Sequence, residues 1–290
     1  MFVQTSPGPV TERRRIQAGK LFMKPELYSG DLLASRWQRS AIDGFAERVG
    51  SESFPCLFGR KAWASDSVRF VFAECNGAGE FDDVLVGLTD YTNFVKDTPL
   101  NDRLFSPLVV FFEASRLDCI SLHDLGWQVL NWVHGMDPAP WPTDVARDPD
   151  HHSWCFCFNG VQLFVNMSIP DHQVLRSRNL GGYLTFVINP RENFDAVASM
   201  QSRSGRLVRD NIRKRVADYN GGTVPEELGF FGDEDNREWQ QYQLEETNLA
   251  RPAQCPFSQK PTPHAPARTD AAGGGVSSGS RNDAAPTQTE

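Results

Sequence analysis

The chain has 290 residues, 40% of them hydrophobic, and a formal net charge of −8. Length and apolar content suffice for a substantial core in one large domain or two, while the acidic balance excludes a general nucleic-acid binder, which needs a clustered cationic face. No stretch approaches the roughly 18 consecutive apolar residues of a membrane span, and the N-terminus MFVQTSPGPVTERRR lacks a signal-peptide core, so a soluble, cytoplasmic protein with no membrane partner is expected.

Residues 1–29 carry Pro7, Pro9, Pro25, Gly8 and Gly19 with little periodicity and read as an N-terminal arm. From Ser35, Trp37, Ala41, Phe45 and Val49 recur at four-residue intervals with Ile42 beside them, predicting a helix that Gly50 ends. Phe54-Pro55-Cys56-Leu57-Phe58-Gly59 follows as an apolar segment broken by proline and glycine. Val68 to Glu74 and Leu108 to Glu113 read as strands, with a glycine-rich turn at 76–79 that matches no nucleotide fingerprint and a helix over 84–93. Ser121-Leu122-His123-Asp124 has the form of a capping box opening a helix to His134.

Trp154 to Phe158 and Val161 to Val165, joined by Asn159-Gly160, predict a β-hairpin with a type I′ turn. Cys155 and Cys157 on one face of it read as packing groups. A third strand, Tyr183 to Ile188, follows Gly181-Gly182, and Leu207 to Tyr219 reads as an amphipathic helix with Arg213-Lys214-Arg215 on its wet face. From 258 onward the chain has almost no large apolar residue and reads as a disordered tail. The expected architecture is one α+β domain over 30–257, a largely antiparallel sheet with helices packed against it.

Cysteines fall at 56, 75, 119, 155, 157 and 255 with no zinc spacing, so reduced thiols are the default. Between the second and third of these strands stand Asp171, His172, Arg176, Ser177 and Arg178. A histidine placed by a sheet edge beside two arginines suits a metal, or a metal cofactor bearing carboxylates; the plain alternative is a solvated loop with His172 as a turn residue. Cys56 likewise reads as a buried packing thiol or, functionally, as a thiolate for a haem iron or a nucleophile. His151-His152 resembles a ligand pair, although neighbours on an extended backbone point apart.

The segments FPCLFG at 54–59, the hairpin, PDHQVLRSRNLGGYLTF at 170–186 and IRKRVADYN before PxxLG at 225–229 together resemble the YqcI/YcgG family over roughly residues 30 to 250. That family includes haem-dependent N-hydroxylases of guanidino nitrogens, among them the arginine N-hydroxylase of D-cycloserine biosynthesis. The resemblance implies haem b, dioxygen with an external reductant or electron-donor protein, and a small guanidino substrate such as L-arginine. Chemistry then assigns His172 as the iron ligand with Arg176 and Arg178 near the propionates, and Cys56 as the rival donor. A guanidinium calls for a carboxylate, and Glu113 or Asp195 at strand ends could supply it. Two other classes stay open: a non-haem metal enzyme using His151, His152 and His172, and a non-catalytic haem or small-ligand sensor.

Overall fold

The runs RFVFAE and LVVFFE lack the alternation of a half-solvated strand, and both are buried on two faces at the middle of a sheet. The structure of the protein, a computed structural model, describes residues 21–29, 35–75, 81–114, 120–199, 202–246 and 249–258. Its strands are β1 (Phe22–Met23), β2 (Arg69–Glu74), β3 (Leu108–Glu113), β4 (Phe156–Phe158), β5 (Val161–Ser168) and β6 (Leu184–Pro190). They form one sheet in the order β1-β2-β3-β6-β5-β4. Helices α1 (Lys24–Tyr28), α2 (Arg36–Val49), α3 (Leu57–Ala64), α4 (Asp82–Asp97), α5 (Leu100–Arg103), α6 (Leu122–Gly135), α7 (Arg191–Ala198), α8 (Arg203–Tyr219) and α9 (Glu238–Tyr242) surround it.

Every strand pair is antiparallel except β2 and β3, which α4 and α5 connect as a crossover. The domain is thus single and its sheet mostly antiparallel, as expected, with one parallel pair inside it. Side chains alternate between two cores. Val71, Ala73, Val110, Phe112 and Phe186 pack with α4 and α6. Phe70, Phe72, Val109 and Phe111 pack with Ala41, Ile42 and Phe45 of α2 and Ala62 of α3.

The β4–β5 hairpin turns on Asn159 and Gly160, both at positive φ, the signature of its two-residue turn. Ser121 caps α6 by accepting the N–H of Asp124 at 3.0 Å. Cys155 and Cys157 are fully buried, as packing groups should be. Two segments depart from the sequence reading. Residues 22–28, assigned to the arm, join the sheet edge as β1 and α1 because Phe22 and Leu27 find cover in the second core. Residues 57–64 form α3 in spite of Gly59, because the preceding Pro55 and the capping Cys56 lie outside the helix and cost it nothing. The glycine-rich turn at 76–79, the arm before 21 and the tail beyond Ser258 lie outside the described residues.

Candidate functional site

Three of the segments that carried the family resemblance meet at one corner. The loop 51–56 leads from α2 into α3, the loop 170–179 follows β5, and the last turn of α8 lies against both. Arg215 of α8 binds this corner together: its Nη2 donates to the carbonyls of Glu52 (3.1 Å) and Phe54 (2.9 Å), and its Nε to that of Pro55 (3.2 Å). Asn220, at the end of α8, accepts the N–H of Ser177 at 2.9 Å and donates to the Ser177 hydroxyl at 3.1 Å. Tyr219 packs edge-on against Phe54, and the Arg176 guanidinium lies 4.9 Å above the Tyr219 ring. On the other side Gly181 lies beside Gly44 of α2 with a φ of 133°, which favours glycine.

Between these parts run two adjoining hollows of about 360 Å³ each, sharing Ser53, Arg176 and Tyr219. Glu47, Glu52 and Asp218 supply carboxylates to the walls, and Arg48, Arg176 and Arg215 supply guanidiniums. The arrangement can hold an anion against Arg176 and a cation against the carboxylates. Arg213 and Arg215, read from the sequence as a wet helix face, instead hold backbone carbonyls, Arg213 that of Leu228.

His172 borders the cleft but is closed to it. Its side chain is 1% exposed; Nδ1 lies 2.9 Å from the Arg178 carbonyl and Nε2 2.8 Å from that of Leu244. Burial holds its pKa below the ordinary range, with His123 and Arg178 adding to the effect, while the two carbonyls pull the other way. No nitrogen lone pair is left facing a ligand, so His172 is a clamp between two stretches of chain and does not fit the role of iron ligand in this arrangement. The clamp has helpers. Glu246 accepts the N–H groups of Gln173, Val174 and Leu175 at 2.6, 3.0 and 3.2 Å, and His123, 5.7 Å from His172 ring to ring, bonds Glu245 at 2.8 Å.

Arg178 is also turned inward. It is 6% exposed, donates from Nη2 to the Gln241 carbonyl at 2.9 Å, and burial brings its pKa down to about 10, so it stays cationic near neutrality, with its buried Nη1 left without a hydrogen-bond partner. Arg176 is exposed on the cleft.

Cys56 is the donor with chemistry to offer. It is half-buried and caps the N-terminus of α3, its sulfur accepting the Gly59 N–H at 3.3 Å. Burial pushes the thiol pKa up, and the N–H groups of Gly59 and Phe58 pull it down. Burial outweighs the N–H groups and holds the pKa above the ordinary thiol range, so it would take a coordinating metal, which deprotonates a thiol outright, to make the thiolate. Cys56 has a sulfur that could take iron and Arg176 lines the cleft where it could meet a propionate, whereas both ring nitrogens of His172 are engaged with backbone carbonyls.

The remaining candidates lie elsewhere. Glu113 ends β3 in register with Glu74 of β2, near Cys75, whose thiol burial and the neighbouring carboxylates push up to about 12. Asp195 lies on α7, past the far end of β6, which runs antiparallel to β3, so the two carboxylates sit at opposite ends of the sheet. His151 and His152 stack ring on ring at 4.3 Å, because they stand in a turn and not on the extended backbone assumed for them. Among the described residues no three of His, Cys, Asp and Glu converge to hold a metal ion. No helix among them is long and apolar enough to cross a membrane.

The model of the YqcI/YcgG family matches residues 45–258 of this chain. A Streptomyces lavendulae protein named "Putative N(omega)-hydroxy-L-arginine synthase DcsA" is 43% identical over 225 residues, covering 77% of this chain and 84% of its own. Two Bacillus subtilis proteins, the uncharacterized YcgG and YqcI, are 33% and 30% identical, covering 77% and 82% of this chain and 88% and 94% of theirs. No solved structure matches.

Proposed function

This chain belongs to the YqcI/YcgG family, and from that premise we propose that it is an enzyme that N-hydroxylates a guanidino group, converting L-arginine to Nω-hydroxy-L-arginine for secondary-metabolite biosynthesis. The reaction replaces an N–H by N–OH: one oxygen atom of dioxygen enters the product and the other leaves as water, with two electrons and two protons consumed. The electrons come from a reductant or an electron-donor protein. Side chains alone do not activate dioxygen, and haem b, the cofactor the sequence resemblance implies, supplies that chemistry when bound.

What supports the reading is the convergence of the FPC loop, the 170–179 loop and the end of α8 on one cleft, in a chain similar over most of its length to a protein so named. When haem is bound, Cys56 would be the residue to hold the iron and Arg176 the one to pair with a propionate. Arg215 fixes the Cys56 loop through three carbonyls, which keeps the sulfur in one position. The clamp of His172 and Glu246 keeps the 170–179 loop, and hence Arg176, in place.

The test is product analysis. Purified protein given L-arginine, dioxygen and a reductant should form hydroxyarginine carrying one atom from labelled dioxygen. Absorption characteristic of haem without product would instead favour the non-catalytic sensor, and product formed without haem would move the chemistry to another cofactor.

A further inference from the structure

The last described residues, 249–258, belong to no helix or strand, and among them only Phe257 is buried. Its ring enters a slot between α6 and β4 walled by His134, Trp141, Trp154 and Phe156, whose ring centroids lie 5.0, 6.3, 5.6 and 5.7 Å from its own. On either side of that ring the backbone is held by one side chain. Asn131 of α6 donates from Nδ2 to the Pro256 carbonyl at 3.0 Å and accepts the Ser258 N–H on Oδ1 at 2.7 Å. We propose that this slot is a peptide-recognition site for a short segment of the Pro-Phe-Ser type, which the chain's own residues 255–258 occupy in cis.

A carboxamide carries both donors and an acceptor, and Asn131 turns one of each to the main chain, so this contact reads a peptide backbone whatever its side chains. The four rings read the residue in between. Backbone bonds for affinity and a side-chain pocket for specificity are the division by which extended peptides are recognised. The walls have anchors of their own. Trp141 donates from Nε1 to the Val145 carbonyl at 3.1 Å, and Phe156 belongs to β4 and donates its N–H to the Tyr242 hydroxyl at 3.0 Å. His134 completes the box as a neutral ring, since burial and Arg147 hold its pKa below the ordinary range. An uncharged aromatic side chain therefore suits the slot, and a charged one does not.

Outside the slot the segment touches the domain lightly. Arg251 pairs with Glu227 at 2.5 Å, and Ala253, Gln254 and Ser258 are exposed. The short link back to Glu246 gives the segment a high effective concentration at the slot, on the order of millimolar, so a free peptide competes only once the tethered copy has lost its anchor. The site is independent of the reaction proposed above, because peptide binding there needs neither a cofactor nor turnover.

The test titrates the full chain carrying Phe257→Ala, by calorimetry under reducing conditions, with the capped peptide PAQCPFS of residues 252–258. The peptide should bind this variant, and bind the parent, whose slot is filled, about tenfold or more weakly. The same peptide with alanine in place of its phenylalanine should not bind, and Asn131→Ala added to Phe257→Ala should weaken the original peptide about tenfold. Melting gives a second reading: Phe257→Ala should melt below the parent, and the peptide should restore part of the difference. If the alanine variant does not fold, Phe257→Leu keeps the slot filled with an apolar side chain, and the peptide should displace the leucine. The proposal is overturned if the peptide binds neither folded variant, if the alanine peptide binds as tightly, or if parent and variant bind the peptide alike.

Discussion

His172 and Cys56 stand on loops that meet at the same cleft, and they differ in what each has left to offer a ligand. The imidazole is buried and both ring nitrogens face backbone carbonyls, so its whole hydrogen-bonding capacity is spent on joining 178 to 244. The thiol is half-buried and receives N–H groups from the first turn of its own helix. A donor's type and its place beside a sheet edge do not determine whether it is available. That depends on long-range contacts, and the strap at 241–246 consumes one of these two residues and leaves the other.

The widest gap between the two should appear in stability. His172→Ala removes the ring's N–H donor to a buried carbonyl and the packing between the two stretches it joins, a loss on the order of 2–5 kcal/mol, visible as a markedly lower Tm. A variant melting within a degree or two of the parent would break the comparison, since a free histidine would lose little. Arg215→Ala should cost less, roughly 1–2 kcal/mol, because its three carbonyl partners are only partly buried. It should also free the Cys56 loop and speed alkylation of Cys56; an unchanged labelling rate would show that Arg215 does not hold the sulfur in place.

Acid should act on the His172 side alone. Burial lowers its folded-state pKa below the 6.5 of the unfolded chain. Within the window between those two values the unfolded state binds more protons, so stability is complete above pH 6.5 and falls as pH drops through the folded-state value. The stability difference between the parent and His172→Asn should therefore shrink on acidification. A difference that grows would mean that the two carbonyls outweigh burial and hold the imidazolium. The smallest effect is expected at Cys56→Ser, under about 1 kcal/mol, because serine also caps a helix well.

Much of the scaffold was legible because it is local. The positive-φ Asn159-Gly160 turn, the Ser121 cap and the alternation of β5 are decided by neighbours in sequence. The parallel β2–β3 pair was not legible, since an apolar run does not state its direction of pairing. At the site, Cys56, Arg176 and the segments that carry the family resemblance could be singled out in the sequence, but not that those segments meet. The inward turn of Arg178 and the occupation of His172 were not, because their partners Gln241 and Leu244 lie more than sixty residues away. Arg215 was hidden by its company: flanked by Lys214 and Arg213 it reads as a solvated charge, and only the fold brings the carbonyls of 52, 54 and 55 to it.

The visible spectrum of the purified protein, recorded beside those of Cys56→Ser and His172→Asn, tests the assignment of the donor most directly. The parent should show a Soret band, Cys56→Ser should lose or shift it, and His172→Asn should keep its position with haem content matched to folded protein. A parent without the band, or a band that survives Cys56→Ser unchanged and disappears from folded His172→Asn, would contradict the account.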